Sequence, residues 1–152
     1  MRKGHVLGRN ILASLGSRKV SGSSPVLYVR VPFTTSDLTR AALNAAVALT
    51  RNLGARVSLV AVLIVPFPLP LDRPAVSPRV VERELQAVAR DIELELNAHV
   101  VIARDREEAF RRAISRGSLV VLATKKRLWP TRQVKRARLL ARAGHSVALL
   151  EI

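Results

Sequence analysis

A chain of 152 residues with 49% hydrophobic and 24% charged side chains is sized for one globular domain with a real core, which excludes wholesale disorder. It has no cysteine, so disulfides, cysteine-based zinc sites, iron–sulfur clusters and thiol catalysis are excluded as well. Twenty-six Lys and Arg against 11 Asp and Glu give a formal charge of +15, a field that attracts nucleic acid, anionic lipid and phosphate ligands. Arg outnumbers Lys 21 to 5, and aromatic residues make up only 3%, which argues against a base-stacking platform. The longest uncharged apolar run, Val57 to Leu71, contains Pro66, Pro68 and Pro70 and is too short to span a membrane. Arg9 and Asn10 interrupt the apolar stretch near the N-terminus, so a secretory signal is not expected and a cytoplasmic protein is.

Residues 1–25 form a compositional zone of their own. They carry Arg2, Lys3, Arg9, Arg18 and Lys19, no acid, and end in the linker-like Ser21-Gly22-Ser23-Ser24-Pro25. Leu7, Ile11 and Leu15 have the spacing of a short basic amphipathic helix, a candidate anchor on anionic lipid; a frayed, flexible tail is the reading preferred here. Residues 26–152 then read as one domain. Val26–Val31 is rich in β-formers, and Ser36 can cap a helix with Leu38, Ala42, Ala45, Leu49 and Leu53 on one face, stopped by Gly54. Val57–Val65 has Ser58 as its one polar residue, as expected of a strand buried on both faces of a parallel sheet. A proline-rich loop follows, and Ser77-Pro78 opens a second helix with Val81, Leu85, Val88 and Ala89 inward, ending near Arg90. A third strand lies between residues 92 and 103. Asp105 and Glu108 have capping-box spacing before a helix through Ala109, Phe110, Ala113 and Ile114, with Gly117 as its stop. Ser118–Thr124 is a fourth strand, Arg132–Ala143 a fourth helix stopped by Gly144, and Ser146–Ile152 a fifth strand.

Strict β-α alternation with short links implies an α/β fold: an open parallel sheet with right-handed crossovers and helices on both faces. Ligands of such sheets sit beyond the carboxyl ends of the strands, here the loops after Val31, Val65, Ala103 and Thr124. The first of these, Pro32-Phe33-Thr34-Thr35, has neither a dinucleotide glycine fingerprint nor a phosphate-binding loop. Acids do not gather at a strand end: Glu93 and Glu95 read as a solvated edge, Asp105 and Glu108 as caps. His5, His99 and His145 are scattered, so no metal site is expected, and no nucleophile-and-base arrangement supports catalysis. The loop after the fourth strand is different. From Arg111 to Arg142 the chain has Lys and Arg at eleven positions and no acid. On a helical wheel Arg132, Lys135, Arg136, Arg138 and Arg142 share a broad face with Leu139, opposite Val134, Ala137, Leu140 and Ala141. That face is either a polyanion site, aided by the helix N-terminal amides, or a solvated arginine surface.

In this order and spacing the chain resembles the universal stress protein family over roughly residues 26–152. The similarity lies in the helix entry Thr35–Leu43, Val65-Pro66 closing the second strand, Arg104-Asp105 before the third helix, and the final module, SLVVLAT at 118–124 and ARAGHSVALL at 141–150. The resemblance implies a Rossmann-like, five-stranded parallel sheet in the order 3-2-1-4-5, of the adenine-nucleotide alpha-hydrolase type, and a homodimer through Ser146–Ile152. Nucleotide-binding members carry an Asp at the end of the first strand, where this chain has Pro32. They also carry a three-glycine phosphate motif, which falls here on Ala123, Lys126 and the pair Gln133-Val134. Glycine serves there because backbone amides must approach phosphates closely. The family-equivalent nucleotide positions are thus Pro32, Ala123, Thr124, Lys125, Lys126, Arg127, Arg132, Gln133 and Val134, a degenerate set.

The expectation is a non-catalytic regulatory or stress-response module, dimeric, with a degenerate nucleotide site and no cofactor. A first alternative is a basic protein that engages nucleic acid or an anionic membrane through Arg132, Lys135, Arg136, Arg138 and Arg142. A second is an ATP-binding member in which Lys125, Lys126, Arg127 and Arg132 replace the glycines as point charges, or a soluble relative of transporter-attached stress domains. An unidentified protein partner is a further option.

Overall fold

The computed structural model describes residues 9–12, 26–92, 96–127, 129 and 131–152. Its elements run β1 (Arg9–Leu12), β2 (Tyr28–Pro32), α1 (Ser36–Thr50), β3 (Arg56–Ile64), α2 (Pro78–Ala89), β4 (Leu96–Ala103), α3 (Arg106–Ala113), β5 (Leu119–Thr124), α4 (Arg132–Arg142) and β6 (Ser146–Glu151). The sheet order is β1-β4-β3-β2-β5-β6. Within it, β4-β3-β2-β5-β6 are mutually parallel, which is the expected 3-2-1-4-5 arrangement of five strands. The sixth strand is an addition: β1 pairs antiparallel with β4, Arg9 opposite Val100 and Leu12 opposite Asn97. Ile11, one of the residues with helical spacing, therefore lies in a strand. Its partners Leu7 and Leu15, His5, the linker at 21–25 and Glu93 and Glu95 lie outside the described residues.

The central strands are apolar because both of their faces are covered. On one face Val29, Val31, Val57, Leu59 and Ala61 pack under α1 and α2, where Leu38, Ala42, Leu43, Ala46, Leu85 and Val88 point inward. On the other, Val60, Val120 and Leu122 pack under α3 and α4 through Phe110, Ile114, Ala137 and Leu140. Period-2 alternation along β3 and β5 divides the two cores between them.

The helix ends follow the sequence with two shifts. The α1 cap is Thr35, not Ser36: the Thr35 hydroxyl accepts from the Leu38 amide, leaving Ser36 as the first helical residue. The α1 face is also rotated. Leu38 and Ala42 are buried as expected, but the stripe continues through Leu43, Ala46 and Thr50, while Leu49 is 53% and Leu53 61% exposed. Leu38, Ala42, Ala45 and Leu49 do follow the 3.6-residue period, but the sheet takes the face about 60° further round, centred on Ala46, and Leu53 lies beyond the helix. Ser77 precedes Pro78 at the start of α2 as expected, although its hydroxyl makes no capping bond. Asp105 caps α3 by accepting from the Glu108 amide at 2.7 Å, whereas the Glu108 carboxylate pairs with Arg112 instead of reaching back. Gly144, at φ +91, ends the turn after α4 in a conformation that side chains resist.

The proline-rich connection after β3 is tied down from outside. Arg104, at the end of β4, donates to the carbonyls of Val65, Pro66 and Leu69, and its guanidinium lies 4.9 Å from the Phe67 ring centroid. The carboxyl-end loops of β3 and β4 are thereby one connected unit.

The rotated α1 stripe makes a direct prediction. Leu43→Ala should cost about 2–5 kcal/mol of unfolding free energy, and Leu49→Ala should change it by no more than about 0.5 kcal/mol. Urea denaturation of both variants is the measurement.

Candidate nucleotide crevice and basic face

In an open α/β sheet the ligand crevice opens where neighbouring strands send their helices to opposite faces. Here that point is the carboxyl end of β2 and β5: α1 follows β2 on one face, and α4 follows β5 on the other. The structure therefore brings Pro32, Ala123 and Thr124 to the ends of two adjacent strands. Pro32 is buried and has no hydrogen-bonding side chain; the following Phe33 amide is taken by the Val60 carbonyl at 2.7 Å. Ala123 and Thr124 are each 2% exposed, and Ala123 belongs to the α1 core.

The crevice's polar groups are engaged with one another. The Thr124 and Thr131 hydroxyls lie 2.6 Å apart, and Thr131 Oγ1 accepts from the Val134 amide at 3.3 Å as the cap of α4. Beyond β5 the chain keeps sheet pairing: the Ile152 amide donates to the Thr124 carbonyl at 2.9 Å, and the Lys126 amide donates to the Ile152 carbonyl at 3.1 Å. The segment 125–127 is thus held against the end of β6, with the Lys125, Lys126 and Arg127 side chains exposed. Gln133 and Val134 are half-buried in the first turn of α4, and Arg132 is exposed.

The other face of α4 departs from the wheel at two positions. Arg132, Lys135, Arg138 and Arg142 are exposed, as a solvated stripe requires. Arg136 is not: it is half-buried, its guanidinium 5.1 Å from the Phe110 ring centroid. Burial first, and then the charges of Arg106 and Arg132, push the Arg136 guanidinium below its ordinary pKa. Ala141, placed inward by the wheel, is exposed, and Ala137 and Leu140 make the contact with the sheet. The wheel treats the helix as isolated; α3, packed alongside, draws one arginine inward. A groove of about 720 Å³ lies between the two helices, with Phe110 and Leu139 among its apolar lining and Arg106, Arg132, Lys135 and Arg136 among its cations. Arg106 and Phe110, four residues apart on α3, complete this groove and were not legible as site residues; they precede the acid-free stretch that draws attention to α4.

A second polar group lies on the same face of the sheet. Arg30, on β2, has its Nε buried without a hydrogen-bond partner, and its guanidinium is 5.8 Å from the Tyr28 ring centroid. Burial, and then the charge of Arg30, hold the His99 imidazole below its ordinary value. His145 is 8% exposed, with no partner for Nδ1. Among the described residues no three His, Asp or Glu side chains form a metal-sized group, and no helix is long and apolar enough to cross a membrane.

The Thr124–Thr131 pair predicts a stability effect. Thr131→Ala removes both the α4 cap and the hydroxyl contact and should cost about 1–2 kcal/mol, while Thr131→Ser should cost about half a kcal/mol or less. Chemical denaturation of the two variants compares them.

No family model matches the sequence, and no curated protein matches it. Solved structures do. A universal stress protein crystallised in complex with cAMP superposes with a TM-score of 0.54 at 13% identity, covering 84% of this chain and 98% of its own. A protein of the universal stress protein family from Burkholderia pseudomallei gives a TM-score of 0.48 at 22% identity, covering 86% and 98%. The five parallel strands in this order and the helices on both faces are what the cAMP-bound protein shares with this chain. The chain has the fold of the universal stress proteins.

Proposed function

We propose that the chain is a non-catalytic regulatory module of the universal stress protein kind, working as a homodimer, whose nucleotide crevice is degenerate. The observation that carries this reading is how the crevice uses its own polar groups. A phosphate-binding loop leaves backbone amides free at the start of the helix. Here the Val134 amide is taken by Thr131 and the Lys126 amide by the Ile152 carbonyl, and Pro32 offers no acceptor to a ribose or base. The similar protein with cAMP bound raises adenine nucleotides as candidate ligands. In this chain they would be held by Lys125, Lys126, Arg127 and Arg132 as solvated point charges, which screening by salt weakens.

The dimer reading rests on β6. It is the outermost parallel strand; Leu149 and Leu150 are each 36% exposed and Ile152 is 52% exposed. An apolar strand at an open edge is a pairing surface, and a second copy offers the matching one. The exposure of Arg132, Lys135, Arg138 and Arg142 supports the alternative of polyanion binding, with contacts to backbone phosphates.

Calorimetric titration of nuclease-treated protein with ATP at about 150 mM salt should show no saturable micromolar binding; such binding would restore the ATP-binding alternative. Sedimentation should give a dimer that the double substitution Leu149→Asp, Leu150→Asp converts to a folded monomer. A wild-type monomer at the same concentration would remove the dimer from the proposal.

A further inference from the structure

We propose that the groove between α3 and α4 binds a small organic phosphate, its anionic group held by Arg106, Arg132, Lys135 and Arg136, with Phe110 backing Arg136 from the core, and its body laid along Leu139. The groove, about 720 Å³, is of a size with ordinary small-molecule sites, and it joins an apolar floor to a few converging polar groups. Its cations come from two helices and meet at one concavity. Arg136 is the centre of the argument. It is half-buried against the Phe110 ring with its guanidinium 5.1 Å from the centroid, and it pairs with no carboxylate among the described residues. A guanidinium withdrawn from water beside two like charges is unfavourable until an anion joins it. Its planar fork matches phosphate oxygens two at a time. The lowered pKa of Arg136, caused by burial and by Arg106 and Arg132, reports the same shortage of negative charge.

The acids of the groove select the class of ligand. Asp105 accepts from the Glu108 amide, and neither Asp105 nor Glu107 pairs with the cations. They oppose a long, uniformly charged backbone, yet can accept hydrogen bonds from hydroxyl groups on a ligand that carries its charge at one end. This favours a compact phosphate ester over nucleic acid. The groove shares only Arg132 with the degenerate crevice, so the inference stands whether or not the crevice holds a nucleotide.

The test is calorimetric titration of the full chain with 1-naphthyl phosphate, and separately with 1-naphthol and inorganic phosphate. The ester should bind saturably at one site per chain, with each half weaker by about tenfold or more. Arg106→Gln with Lys135→Gln, both exposed positions that leave the core intact, should weaken the ester by about tenfold. Lys125→Gln, Lys126→Gln and Arg127→Gln together should leave it within about twofold. Wild-type affinity in the groove variant would overturn the proposal, as would loss of binding in the loop variant or inorganic phosphate binding as tightly as the ester. A groove variant that loses only duplex DNA binding would overturn it in favour of backbone contact.

Discussion

Covering the central strands on both faces is the constraint from which the rest of this molecule follows. Val57, Leu59, Val60 and Ala61 are consecutive or nearly so along β3 and are all almost fully buried, which requires a helical layer on each side. Helices on both sides require right-handed crossovers in opposite directions, and these create the switch between β2 and β5. The location of the crevice is thus a consequence of hydrophobic burial. What occupies it is a separate matter of loop chemistry.

That separation explains what was legible in the sequence. The strands announced themselves because a strand buried on both faces has little room for polar residues; β3 with Ser58 is the clearest case. The α2 entry at Ser77-Pro78 and the α3 cap at Asp105 were legible because local backbone geometry restricts which residues can stand there. The exposed Leu49 and Leu53 misled because leucine is common on surfaces, and apolar residues at helical spacing do not by themselves fix the angle a helix presents to its sheet. Strand β1 lay beyond such signals: Arg9-Asn10-Ile11-Leu12 is four residues with no polar–apolar alternation, and its pairing depends on an edge of β4 far along the chain.

The site divides in the same way. Pro32, Ala123 and Lys126 could be read residue by residue, and the structure adds that the Lys126 and Val134 amides and the Thr124 and Thr131 hydroxyls make internal bonds. The basic helix was visible as a stripe, but the burial of one of its arginines was not. Arg136 turns inward because Phe110, from another helix, offers its ring face. A contact between two helices leaves no periodic trace in either of them.

The bonds between Ile152 and the segment after β5 have a consequence for the order in which the molecule assembles. As the chain leaves the ribosome, β3, β4 and β5 can each pair on emerging, since each finds a neighbour among earlier strands. The loop of Lys125, Lys126 and Arg127 cannot: the partner of its backbone is the far end of β6, the last described strand to be made. The basic loop beside the crevice is therefore the last to settle, and until β6 docks, nascent chains leave that segment's backbone and the edge of β5 unpaired together.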